Sequence, residues 1–209
     1  MPEPQPASDP AAAPTAGPGS DAGPPGDGPL SAPGAGTPAE REPVASRPHM
    51  PGYGILPADR GTGLLPWSWA RQRLTDSHDY WVATVRPDGR PHVMPVWGLW
   101  LDGALWFSSS RRSRKLLNLL ERPDCVVTTD DPLDPVVLEG SAEVVSDLAV
   151  IARFLDALNA KYGTDYRPDF LDLAVNATLR VDPDQAIGML HGDFTGSPTR
   201  WRFRPGPPR

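Results

Sequence analysis

Cysteine is all but missing from this chain: Cys125 stands alone among 209 residues. That excludes a disulfide framework. The four histidines (His49, His78, His92, His191) show no metal-ligand spacing with it, so no metal is expected. Lysine is scarce too, with only Lys115 and Lys161, and the net charge is −6. A balance of that sign argues against a nucleic-acid partner. No apolar run approaches the ~18–20 residues of a membrane span. The start has neither a basic region nor a hydrophobic stretch of signal-peptide type. A cytoplasmic protein with no membrane contact is therefore expected. Glycine patterns for dinucleotide or nucleoside triphosphate binding are absent, and so is the glycine-flanked serine of hydrolases.

What is present divides unevenly. Residues 1–50 hold 13 of the 28 prolines, no aromatic residue, and only Leu30 and Val44 as large aliphatics. A segment so poor in apolar surface cannot offset its own ordering entropy, and it reads as a disordered Pro/Ala/Gly-rich tail. Residues 205–209 read as a loose end. The remainder suits one domain and carries all seven tryptophans.

Within that domain the period of the apolar residues changes several times. A helix is expected from Leu65 to about Ser77, with Pro66 in its first turn. Tyr80–Val85 and Pro91–Leu99 read as strands joined by the turn Pro87-Asp88-Gly89. Ala104–Ser108 follows after Asp102-Gly103. A short helix from Ser113 to Glu121 ends before Pro123. Strands are expected at Asp124–Thr129 and Val136–Val145, then a helix capped by Ser146 and ending near Tyr162-Gly163. Residues 165–175 fit a short helix. Ala177–Val181, Ala186–Leu190 and Thr199–Phe203 read as the last strands. Few helices and many hairpin-spaced strands predict a mainly β fold, an antiparallel sheet closed into a small barrel.

One stretch carries chemistry. Arg111, Arg112, Arg114 and Lys115 surround Ser113 at the start of the Leu116–Leu120 helix. Cations there oppose the helix dipole, a local cost that an anion would remove. Serine hydroxyls, free backbone N–H groups and guanidinium forks are what a phosphate needs. The stretch fits an anion site, and equally a solvated basic face.

The run Gly89-Arg90-Pro91-His92-Val93-Met94-Pro95-Val96-Trp97 resembles the pyridoxamine 5′-phosphate oxidase-like proteins. So do Asp102 to Ser108, Ser113-Arg114-Lys115 with Asn118-Leu119, and Pro123-Asp124. The nearer likeness is to the actinobacterial branch that uses FMN or the deazaflavin F420. The resemblance covers about residues 65–203. It implies a split β-barrel over residues 51–204, a homodimer, and an oxidoreductase acting on a small organic substrate. Ser113, Arg114 and Lys115 match the motif that holds the cofactor phosphate, assisted by Ser108. Val93, Met94, Pro95 and Val96 match the strand that lies along the ring. His92 stands where the phosphate oxidases tend to carry arginine, and Asn118 falls one turn past Arg114.

The cofactor brings the hydride chemistry in such proteins, so no catalytic acid, base or nucleophile is assigned. The terminal Arg-x-His motif of the phosphate oxidases is replaced by Arg200-Trp201-Arg202, which argues against vitamin B6 oxidation. The competing class is a non-catalytic barrel that binds or sequesters a cofactor or other ligand.

Overall fold

The computed structural model describes residues 42–203. The expectations for residues 1–41 and 205–209 lie outside the described residues. The barrel fold itself begins before residue 51. Strand β1 (Val44–Ser46) pairs with the last strand through Val44↔Arg202, Ala45↔Trp201 and Ser46↔Arg200. Composition averaged over fifty residues conceals so short a strand.

Helix α1 (Trp67–Asp76) starts behind Pro66 and buries Trp67, Ala70 and Leu74, spaced along one face. Strands β2 (Asp79–Val85) and β3 (Pro91–Leu101) form a hairpin. At its turn Gly89 N–H donates to the Arg86 carbonyl at 2.8 Å, and Gly89 holds φ +84, a conformation that costs glycine little. Asp102 and Gly103 both have positive φ, the two-residue turn that matches strand twist, and lead into β4 (Ala104–Ser110).

Helix α2 (Arg114–Glu121) is followed by β5 (Asp124–Thr129) and β6 (Val136–Val145). Helix α3 (Leu148–Tyr162) is capped by Asp147, whose carboxylate accepts from the N–H groups of Ala149 and Val150. The expected cap, Ser146, lies one residue too early. A carboxylate also answers the helix's positive end better than a hydroxyl. The ambiguous stretch after α3 holds a single 3-10 turn, Pro168–Leu171.

The strands expected at 177–181 and 186–190 are one strand, β7 (Asn176–Gly188). Pro183 lies inside it, opposite a register shift between Glu139 and Gly140 of β6, which is where proline is tolerated in a sheet. A Cβ at Gly140 would lie 2.2 Å from the Asp182 carbonyl oxygen, so this crossing requires glycine. Strand β8 (Thr199–Arg202) completes the set.

The sheet runs β1-β8-β7-β4-β3-β2-β5-β6, and β6 also pairs with β7. Six antiparallel strands thereby close into a barrel, as the sequence predicts. Tyr80, Val82, Leu105, Phe107, Leu138 and Leu179 fill the interior, together with Leu116 and Leu119 of α2. A second apolar cluster lies outside, where Ile151, Phe154, Leu155 and Leu158 of α3 cover Leu99, Ala104 and Trp106. No helix among the described residues is long and apolar enough to cross a membrane.

Candidate functional site

The basic stretch stands where β4 hands over to α2. Ser113 caps the helix, its Oγ accepting from Leu116 N–H at 3.2 Å. Ser113 Oγ also lies 2.7 Å from Ser109 Oγ. Leu105, Phe107 and Ser109 share the inward face of β4, and Ser108, the expected helper, sits opposite Thr178 on the other. Leu116 and Leu119 draw α2 onto the barrel and leave Arg114 exposed. Among the described residues, Arg114 has no ion-pair partner. Arg111 is held in place: its Nε donates to the Leu173 carbonyl and its backbone N–H to Val175.

The β2–β3 hairpin approaches this helix start. Asn118, on α2 and 1% exposed, donates its side-chain amide to Thr84 Oγ1 at 2.9 Å. Thr84 in turn faces His92 across the β2–β3 register. His92 Nδ1 and Asn118 Oδ1 are both shut off from solvent with no hydrogen-bond partner, and so is Arg86 Nε. Burial holds the His92 imidazole below its ordinary range, and the positive charges of Arg86, Lys115 and Arg114 push the same way. Three cations from two elements therefore act on one histidine, and no carboxylate is among the charges that act on it. An anion is the ligand such a field selects.

Of the strand residues, Met94 and Val96 share the inward face with His92, while Val93 and Pro95 point outward with Pro91. From Pro91 to Trp97, β3 pairs only with β2. Its pairing with β4 begins at Gly98. The other edge of this segment therefore has no strand partner among the described residues. Exposure reaches 53% at Val93 and 41% at Met94. The structure thus gathers His92, Arg114, Lys115 and Asn118 at one place and leaves an open backbone edge beside them.

Two residues of this site are missing from the sequence reading, Ser109 and Arg86. For Arg86 the signal was the inward period Tyr80, Val82, Thr84, Arg86, which ends at the turn. Other aromatic and polar residues serve packing. Trp201 is fully buried between Trp67 and Trp69. Glu139 lies half-buried and accepts from Gln185 Nε2 at 2.8 Å. Asp193 pins Thr62 through two 2.7 Å bonds. Among the described residues no group of three acidic, histidine or cysteine side chains is placed to hold a metal.

The family model described as pyridoxamine 5′-phosphate oxidase matches residues 70–189, more than half of the chain. The chain belongs to the pyridoxamine 5′-phosphate oxidase family. Two solved structures agree on the fold. A conserved hypothetical protein from Mycobacterium tuberculosis is 21% identical with a TM-score of 0.53, over 67% of this chain and 86% of its own. ChuZ from Campylobacter jejuni is 7% identical with a TM-score of 0.52, over 59% of this chain and 55% of its own. An F420 reductase is 26% identical with a TM-score of 0.47, over 56% of this chain and 94% of its own. No curated protein matches the sequence.

Proposed function

We propose that this family member is an oxidoreductase that holds FMN or F420 and passes a hydride to or from a small organic molecule. The observation that carries the reading is the basic start of α2, whose Arg114 and Lys115 charges act on His92, beside the unpaired edge of β3. A flavin or deazaflavin, when bound, supplies the hydride chemistry. The residues present fit its phosphate: a capped helix start, two cations and a buried histidine nitrogen without a partner. Ser113, Arg114 and Lys115 would hold that phosphate. Ser109 fixes the Ser113 hydroxyl, and Asn118 ties the helix to β2. The backbone of Val93 to Val96 offers a flat edge to a ring. No side chain is assigned as acid, base or nucleophile.

Vitamin B6 oxidation is a poor fit. Arg200 and Arg202, where the phosphate oxidases grip substrate, lie on β8 paired with β1, and Arg200 donates to Ser46 Oγ at 3.2 Å. Trp201 between them is buried.

A homodimer is part of the reading. The outward face of the β2–β3 hairpin is apolar from Trp81 to Val85 and from Pro91 to Pro95. Trp81 is 44% and Val93 53% exposed, which suits a surface that a second copy covers.

The test is equilibrium binding of FMN and F420, side by side, to the parent and three variants. A charge-assisted hydrogen bond is worth about 1.5–3 kcal/mol, so Lys115→Ala and Arg114→Ala should each weaken binding by roughly tenfold to a hundredfold. Arg112→Ala, at an exposed position before the cap, should leave FMN affinity unchanged. Equal affinity in all three variants would reduce the basic stretch to a solvated face. Tight binding with no hydride transfer to any acceptor would make the protein a sequestering barrel.

A further inference from the structure

The inward face of the hairpin runs Tyr80↔Val96, Val82↔Met94, Thr84↔His92. One further step of the strand period brings Arg86 to the same side, just before the turn. Its Nε is enclosed without an acceptor, as His92 Nδ1 is without a partner. Among the described residues the Arg86 side chain makes no hydrogen bond or ion pair. Asp88, in the turn, is committed to Arg90 through bonds of 2.6 and 2.9 Å. Two unpartnered buried nitrogens on one hairpin are rare in folded proteins and point to a missing acceptor. The charges of Arg114 and Lys115 on α2 act on the same histidine.

We propose that Arg86 and His92 are the hairpin's half of the phosphate site, facing Arg114 and Lys115 of α2 across it. This rests on the reading of the site as a phosphate-bearing cofactor site. It also gives His92 a definite task. Burial and the three cations disfavour the imidazolium. A phosphate dianion between the two halves removes that repulsion and favours the imidazolium, which then has an acceptor for its enclosed nitrogen. Binding therefore takes up a proton at His92. Affinity for a phosphate-bearing ligand should strengthen as pH falls from about 8 toward about 6.5, the ordinary histidine range. The charged groups acting on the ring are Arg86, just past the end of β2, and Arg114 and Lys115 from α2. The adjoining Thr84 and Asn118 are neutral.

The experiment compares FMN with riboflavin, which has the same ring without the phosphate. Arg86→Gln should weaken FMN binding roughly tenfold, the scale of one charge-assisted bond. It should leave riboflavin affinity as in the parent, which also shows that the variant is folded. Arg86→Lys should recover part of the loss. Calorimetry of FMN binding near pH 7, in two buffers of different protonation heat, should show proton uptake by the parent and less by His92→Gln. The ligand's own second ionisation, near pH 6, is common to both. The proposal fails if Arg86→Gln binds FMN as tightly as the parent, or if His92→Gln takes up as many protons. Should the parent bind neither FMN, riboflavin nor F420, the cofactor reading falls by itself. Inorganic phosphate then decides: weaker phosphate binding in Arg86→Gln sustains the hairpin half-site, and equal or absent phosphate binding overturns it.

Discussion

Asn118 of α2 gives its side-chain amide to Thr84 Oγ1 of β2 at 2.9 Å, and both side chains are almost wholly buried. With the burial of Leu116 and Leu119, this bond holds the helix that carries Arg114 and Lys115 against the strand pair that carries His92. Replacing Asn118 by alanine leaves the buried Thr84 hydroxyl with only its 3.4 Å bond to the His92 carbonyl and opens a small cavity. The expected loss is about 1–3 kcal/mol, read as a lower midpoint in urea unfolding at unchanged slope. FMN affinity should fall as well, because the two halves of the site are no longer held in register. A variant as stable as the parent would show that the bond is replaced by water.

The barrel was legible from the sequence because its signals are local: Pro87-Asp88-Gly89, Asp102-Gly103, and the change from period two to helical spacing at Ser113. The basic stretch at the start of α2 was legible for the same reason. What escaped depended on alternation and register. Ser109 rather than Ser108 meets Ser113 because only Ser109 shares the inward face with Phe107. Arg86 acts on His92 because the inward period of β2 runs one residue past its last pair, Val85↔Pro91. β7 was divided in two because Pro183 reads as a break, and only the glycine opposite it lets the strand continue.

Arg47 carries the next expectation. Its guanidinium donates to the carbonyls of Pro198 at 2.8 Å, Gly196 at 2.9 Å and Pro57 at 3.0 Å. It thus joins the segment after β1 to the loop before β8. A chain starting at Glu42 keeps these bonds, and one starting at Pro48 loses them together with β1. The shorter chain should melt lower by roughly 4–8 °C, from a loss of about 2 kcal/mol. Equal melting temperatures would show that β1 and Arg47 add nothing to the barrel.

Lys161 predicts a pH dependence. Its Nζ donates to Tyr80 Oη and to the Gly98 carbonyl, both at 2.9 Å. Burial holds it down to about 8, although Asp130, Asp79 and Asp76 pull the other way. Between about pH 8 and its ordinary value near 10.5, the unfolded chain keeps a proton that the folded chain has lost, so this group adds stability as pH rises. Burial pushes the Cys125 thiol and the Tyr162 hydroxyl up to about 12. Those two subtract stability above about pH 9 and are shared by parent and variant. Lys161→Met should therefore be at its most favourable relative to the parent near pH 7. It should lose ground steadily up to about pH 10, measured as the difference in urea midpoints. A difference that stays constant across that range would mean that Lys161 titrates as an ordinary lysine.

The hairpin's outward face makes the last expectation. Trp81, Val85 and Val93 leave apolar surface in water, at 44%, 37% and 53% exposure, and they are neighbours across β2 and β3 rather than scattered. A monomer gains nothing from such a face, and a second copy that covers it removes the area from water at about 25 cal/mol per Å². A specific interface buries on the order of 1,200–2,000 Å² in total, so the hairpin is its centre and adjoining residues its rim. Charge at the centre is then costly, since a buried carboxylate without a partner is strongly disfavoured. Val93→Glu should convert a dimer to a monomer at micromolar concentration in light scattering, with the barrel's circular dichroism unchanged. Leu148→Glu, at a 70% exposed position that opens α3, should remain a dimer. A parent that is itself monomeric at that concentration would leave the hairpin face without a second copy, and the cofactor site would then lie within one chain.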